Sequence, residues 1–335
     1  MFRPFGLRDI FIVKDLQQLG LQLDLERAII WPQSPLMAAL AARLPVNEMG
    51  APTYVLTAEE KGRKRYGFIQ IRPRPERPEC DVVYLAPALS QASDPSTGQM
   101  ILYRLLTHLC QEVGKAGCQR LFAALPDGGE EADVFRQVGF GSYCREYIYR
   151  MTQPPAPYAP TQPFQWRQQR AEDSWGLQRL YDLSTPHLVR QAEGLARGSW
   201  EPRYTHWLGR RMDRRYVLKQ DNEVFGYLHL TPGRQGYWLR VMLHPDITDR
   251  AEELLRSSLA QALPHRPRPI YCNVREYQSG MQGALENCGF EYFFTRSIMV
   301  KHTTVRVRDF VMKPLPAMEK GVEASPTISQ TNKVR

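Results

Sequence analysis

Two short stretches far apart in the chain end the same way. VFRQVGF closes at Phe140 and ALENCGF at Phe290. Each reads as a short helix, followed by Gly-Phe and then an aromatic-rich run, YCREYIYRM in one case and YFFTRSIMVK in the other. A glycine at such a joint suits a helix C-cap with positive φ. The lead-up to each joint repeats as well. In the first half PTYVLTAEE, RYGFIQIRP and CDVVYLAPA read as strands from their β-branched and aromatic content. The next segment, GQMILYRLLTHLCQEVG, spaces Ile101, Leu102, Leu105, Leu106 and Leu109 as a helix does, and CQRLFAAL is then a buried strand before the helix EEADVFRQV. In the second half RYVLKQ, EVFGYLHLT and GYWLRVML are strands, DRAEELLRSSLAQAL a helix, PIYCNVRE a strand and GMQGALENC a helix. Asp9, Val13 and Leu16 share their spacing with Asp173, Leu177 and Leu180. One series of elements run twice predicts a duplicated domain.

The midpoint fits that division. MTQPPAPYAPTQPF carries five prolines and no charge, which predicts an extended connector. The expected layout is a first domain over 1–150, a linker over 151–163, a second domain over 164–311 and a disordered tail over 312–335. With 335 residues, each half is long enough to bury its own core. No run of about 18 apolar residues is present, and the first residues lack a signal-peptide layout, so the expectation is a cytoplasmic protein without a membrane partner. The six cysteines include no CxxC pair and the seven histidines no HExxH or HxH spacing, so free thiols and no metal are expected. A net charge of +9 favours anionic partners without naming them.

The order of a three-strand meander, a helix, a strand, a short helix ending in Gly-Phe and a terminal strand resembles the GNAT acyltransferase fold, here twice in tandem over roughly 2–150 and 164–308. This is a mixed α/β architecture, a central sheet flanked by helices. The resemblance implies transfer of an acetyl or other acyl group from acyl-CoA to an amine. It also implies that one half of a tandem pair can be competent and the other decayed. In the family the helix after the meander begins with a glycine-containing turn, and its N–H groups hold the CoA pyrophosphate. The equivalent turn in the first half is SQASDPSTGQM, which places Ser96, Thr97, Gly98, Gln99 and Met100 at the cofactor. It departs from the family pattern at Pro95 and at Met100. In the second half His244-Pro245 resembles the strand end. No glycine follows, however, and Glu252 and Glu253 in the first turn would repel a pyrophosphate.

Many members of the family place a proton-donating tyrosine four residues before the glycine of the Gly-Phe joint. Phe135 and Leu285 stand there in this chain, and neither can donate a proton. Tyr143, Tyr147 and Tyr277 are the nearest substitutes in sequence. Glu59, Glu60 and Asp81 are candidate bases among which the sequence does not choose. Arg203, Arg210, Arg211, Arg214 and Arg215, interleaved with Tyr204, Trp207 and Tyr216, form a basic run that reads either as a nucleic-acid surface or as a solvated helix face. Three readings follow. The first is a monomeric acyltransferase with acyl-CoA in the first half and a small-molecule or peptide amine as acceptor. The second is a catalytically decayed pair that binds a ligand or a protein. The third is a nucleic-acid-associated module.

Overall fold

The computed structural model describes residues 1–44, 50–60, 62–75, 77–92, 94–153, 164–195, 197–200, 213–220, 223–262 and 268–303. The first half runs β1 (Phe2–Pro4), α1 (Ile10–Leu16), β2 (Leu21–Gln22), α2 (Leu25–Ile30), α3 (Pro35–Ala41), β3 (Thr53–Glu60), β4 (Arg63–Pro73), β5 (Glu79–Ala86), α4 (Pro95–Lys115), β6 (Arg120–Pro126), α5 (Glu131–Gln137) and β7 (Gly141–Met151). The second half runs β8 (Trp166–Gln168), α6 (Ser174–Ser184), α7 (His187–Glu193), β9 (Arg214–Gln220), β10 (Glu223–Pro232), β11 (Tyr237–Leu243), α8 (Ala251–Ala262), β12 (Ile270–Arg275), α9 (Ser279–Asn287) and β13 (Glu291–His302). The duplication expected from the spacing is present. Phe140 N–H bonds Phe135 O at 3.0 Å and Phe290 N–H bonds Leu285 O at 3.0 Å, with Gly139 at φ +95° and Gly289 at φ +93°. Both joints are therefore glycine-closed helix ends of the same geometry.

The repeated aspartates have a common cause. Asp9 is fully buried and accepts from Arg3 at 2.5 Å and from Gly6 N–H at 2.8 Å. Asp173 accepts from Arg167 at 2.6 Å and from Arg170 N–H at 2.8 Å. Each carboxylate ties the opening strand of its half to the start of its first helix. A buried charge survives only when paired and hydrogen-bonded in this way.

The strands form one sheet in the order β1-β3-β4-β5-β6-β13-β7-β12-β11-β10-β9-β8, with β2 on β5. The last strand of each half crosses over. β13 lies antiparallel to β6 of the first half, and β7 lies antiparallel to β12 of the second. The two then pair with each other at the centre. Residue 150 therefore falls inside a strand that lies beside the second half. Both halves belong to a single unit, Met1–Val305. One sheet face packs Leu102, Leu106 and Leu109 of α4 and Leu255 and Leu259 of α8 over the two main cores. On the opposite face α1 and α3 cover Val55, Phe68 and Tyr84, while α6 covers Val217 and Tyr227.

Two helices cross the centre. Ile30 of α2 packs on Trp238 and Ile148, and Ala192 of α7 packs on Phe122 and Val300. Their C-termini dock on turns of the other half. Ile30 O accepts from Gln235 N–H at 3.2 Å, and Glu193 O accepts from Arg77 at 2.5 Å. The linker from residue 154, Arg203, Arg210 and Arg211 and the tail 312–335 lie outside the described residues. Arg214 and Arg215 begin β9.

Candidate functional site

In the first half β5 and β6 pair from Glu79–Arg120 to Asp81–Phe122 and then separate, though β5 runs on to Ala86. The gap is filled from within the chain. Glu131, at the start of α5, is buried and accepts the Leu89 N–H at 3.0 Å across it. Helix α4 then begins at Pro95, earlier than the sequence suggested, with Asp94 as its N-cap. Asp94 accepts from the N–H groups of Ser96 at 3.4 Å and Thr97 at 3.2 Å, and from both hydroxyls at 2.7 Å. Bonds from the Thr97 and Ser96 side chains hold its pKa down at about 2. Gly98 N–H bonds Asp94 O at 3.0 Å, so this donor already serves the helix ladder, and Gln99 and Met100 lie deeper in the same helix. Within the expected cofactor turn Ser96–Met100, the N–H groups of Ser96, Thr97 and Gly98 are thus already taken by Asp94. Pro at the first helical position, after Asp, is a start signal rather than a break. Gly98 is also buried, and a Cβ there would lie 2.7 Å from the Ala92 Cβ, so the position has no room for a side chain.

The second half is closed in a similar way. β11 and β12 pair from Tyr237–Ile270 to Arg240–Asn273 and then part. Gln278 spans the opening, donating to Val241 O at 3.1 Å and accepting from Arg275 N–H at 2.9 Å. His244 caps a short 3-10 turn, Pro245–Arg250, ahead of α8. Glu252 pairs with Arg256 at 3.0 Å and Glu253 with Arg250 at 3.1 Å. Phe135 and Leu285 are both fully buried core residues.

Of the three candidate tyrosines, two converge and one does not. Glu193, at the end of α7, accepts from Tyr181 at 2.8 Å and Tyr143 at 3.5 Å, and pairs with Arg275 at 3.3 Å. Tyr277 lies within electrostatic reach of Arg275 and Glu193, and burial pushes its pKa up to about 12. Burial also raises Tyr143 and Tyr181, so all three stay protonated at neutral pH. Tyr147 instead packs against the core beneath α8 and α9. Among the candidate bases Asp81 is held by Arg74 at 2.6 Å, while Glu60 accepts from Thr97 at 2.7 Å. Neither belongs to the tyrosine cluster.

Glu193 itself was missed by sequence reading. It is placed by the docking of α7, whose last carbonyls accept from Arg77 and Arg120. Both arginines pair with buried Glu79 at 2.7 Å. Gly194 closes the helix at φ +55°, where a Cβ would strike Arg120.

Beside this cluster a polar row crosses the second half of the sheet. Arg215, His229, Arg240 and Asn273 stand directly opposite one another on β9, β10, β11 and β12. His229 pairs with Asp213 at 3.1 Å and Arg240 with Glu26 of α2. Burial lowers the His229 pKa, opposed by Asp213. Next along, Glu146 lies between Arg275 and Arg296, at 3.1 and 2.5 Å, and accepts from Asn273 at 2.8 Å. Burial opposes its charge, but Arg296 and Arg275 outweigh that and hold its pKa at about 2.

The paired meanders, the glycine-closed short helices and the parted parallel strands together make a tandem two-lobed fold built on one sheet. The fold is that of the GNAT acetyltransferases. The chain is similar to a GCN5-related N-acetyltransferase from Sphaerobacter thermophilus, at 12% identity and a TM-score of 0.50 over 90% of this chain and 95% of that one. It is equally similar to a tandem GNAT protein from the clavulanic acid biosynthesis pathway, at 17% identity and a TM-score of 0.50 over 91% and 98%. No family model matches the sequence, and no curated protein matches it. Among the described residues, no helix of this GNAT-fold chain is long and apolar enough to cross a membrane, and no group of three His, Cys, Asp or Glu residues could hold a metal ion.

Proposed function

We propose that this GNAT-fold protein acts by binding, and that neither half takes acyl-CoA in the family manner. The observation that carries this reading is the Asp94 carboxylate on the Ser96 and Thr97 N–H groups, where the family holds a pyrophosphate. A pyrophosphate at Ser96–Met100 has to displace that carboxylate and then sit beside it. At close range two anions repel, and the phosphate would find the donors that could offset that repulsion already taken. Glu131 and Gln278 across the parted strands, and Phe135 and Leu285 in place of the proton donor, point the same way.

One observation favours a second reading, transfer of an acyl group from acetyl-CoA or a longer acyl-CoA to a small-molecule or peptide amine. Tyr143 and Tyr277 gather at Glu193 and Arg275, which gives a protonated phenol beside a carboxylate. Calorimetry with acetyl-CoA and longer acyl-CoAs, combined with a thiol-release assay against a panel of amines, separates the two. The binding reading expects no saturable heat at millimolar acyl-CoA. It expects Asp94→Asn, which keeps a neutral cap, to gain affinity. Micromolar binding to the wild type with amine-dependent release of CoA would establish the transferase instead.

A further inference from the structure

Three of the six free cysteines gather at the C-terminal end of α4, and two of them touch. Backbone steps bring them together. Gly117, at φ +88°, reverses the chain after α4, and the Cys118 N–H bonds Val113 O at 2.9 Å. Gln119 then donates to Pro78 O at 2.6 Å, and Arg120 and Leu121 pair with Glu79 and Cys80. Alternation along β5 sends Glu79 to one face, where Arg77 and Arg120 meet it, and Cys80 to the other, into the core beneath α4. The Cys118 Sγ folds back over β6, 3.2 Å from Arg120 O, and shares a hydrogen bond with the Cys80 thiol. Each cysteine is 7% exposed, but Gly117 and Gln119 on either side of Cys118 are exposed, so the pair lies just under the surface.

The two thiols are not equivalent. The bond from Cys80 lowers the Cys118 pKa against the opposing effect of burial, and backbone bonds at Arg120 and Cys80 add to the lowering. The same shared bond, together with burial, raises Cys80. A thiolate is the attacking form of cysteine, and a thiol beside it can resolve the product. Cys110, the third cysteine, is pushed up to about 11 by burial and stays protonated at neutral pH.

We propose that Cys118 and Cys80 form an oxidation site, at which a peroxide converts the touching thiols to a disulfide between β5 and the start of β6. The inference stands whether the protein binds a ligand or transfers an acyl group. The Cys118 thiolate attacks the peroxide O–O bond and takes one oxygen as a sulfenic acid. The other oxygen leaves as hydroxide or alkoxide and picks up the proton that Cys118 lost. The Cys80 sulfur then attacks the Cys118 sulfur, and its proton departs with the sulfenic hydroxyl as water. Two thiols give up two electrons, and the peroxide takes them. The test treats the folded full chain with hydrogen peroxide, blocks the remaining thiols with an alkylating reagent and maps the tryptic peptides without reduction. Arg104 and Lys115 let trypsin place Cys80, Cys110 and Cys118 on three separate peptides. The expected product joins Cys80 to Cys118, loses two of the six thiols and is reversed by dithiothreitol. Cys80→Ser should halt at a Cys118 sulfenic acid, trapped by dimedone, and Cys118→Ser should slow thiol loss tenfold or more, with circular dichroism verifying both folds. The wild-type map decides the matter without either variant. Cys118 joined to Cys110, a linkage that forms only after denaturation, or six intact thiols after peroxide treatment overturns the proposal.

Discussion

The two halves place the same three cross-strand neighbours under different physical rules. In the first half Thr53, Gln70 and Tyr84 stand opposite one another on β3, β4 and β5. All three are buried and neutral. Gln70 donates to Pro35 O at 2.8 Å and to Thr53 at 2.9 Å, and Tyr84 donates to Gln17 O at 2.6 Å. In the second half the corresponding trio on β9, β10 and β11 is Arg215, His229 and Arg240, which are ionisable and only part-buried, with Asp213 and Glu26 as partners. The end of the crossing helix differs in the same sense, Ile30 in one half and Glu193 in the other. Duplication kept the backbone and released the side chains. One copy closed its sheet face with neutral groups that its own backbone satisfies, and the other keeps charge there, within reach of solvent.

That contrast can be broken in graded ways. The largest effect is expected from separating the halves. A polypeptide of residues 164–311 lacks β7 beside β12, and one of residues 1–150 lacks β13 beside β6. Each alone should show no cooperative thermal transition by calorimetry, and mixing the two should restore one. A stable, cooperatively folding single half would show that the crossed strands are dispensable.

Next in size is Glu146→Leu. It leaves Arg275 and Arg296 without their shared carboxylate, and breaking such a buried pair costs about 3–5 kcal/mol. Denaturant titration reads this loss directly. The same residue sets an acid limit. Its folded pKa of about 2 lies below the ordinary 4.5, so its contribution is complete above 4.5 and drains away as pH falls toward 2. The full loss is of order 3 kcal/mol. Glu146→Gln should flatten that part of the pH–stability curve, and an unchanged slope would remove Glu146 as its cause.

The trios themselves give a smaller, sharper pair of variants. Gln70→Glu puts an unpartnered carboxylate into the neutral face and should cost about 2–4 kcal/mol. His229→Gln, which makes the charged face resemble the neutral one, should cost under about 1 kcal/mol. Equal costs would mean that the halves do not differ in their tolerance of charge. A comparably small effect is expected of Asp94→Ala, which removes the exposed cap of α4 and should lower the thermal midpoint only slightly.

Much of the scaffold was legible in the sequence. The Asp9 and Asp173 spacings repeat because each aspartate does the same buried work, and the Gly-Phe joints repeat because a left-handed cap needs glycine in both. The helix α4 start was misplaced because Pro95 reads as an interruption unless Asp94 before it is recognised as a cap. Ser34-Pro35 starts α3 in the same manner. The strand crossing left no mark, because a strand's alternation reports which face is buried and not which neighbour it pairs with. The Glu193 cluster was illegible for a related reason. It depends on α7 docking against Arg77 and Arg120, residues that lie far away in the chain and whose spacing carries no signal.

The crossed strands also fix when the protein can become itself during synthesis. Most domains close as soon as they leave the ribosome, N-terminal first. Here the first half emerges with β6 as a bare sheet edge, and its proper neighbour, Glu291–His302, is translated almost last. Through most of its synthesis the nascent chain must carry an open, pairing-competent edge of the kind that invites aggregation. Slowed translation of the second half, or truncation before β13, should therefore be harmful out of proportion to the number of residues missing.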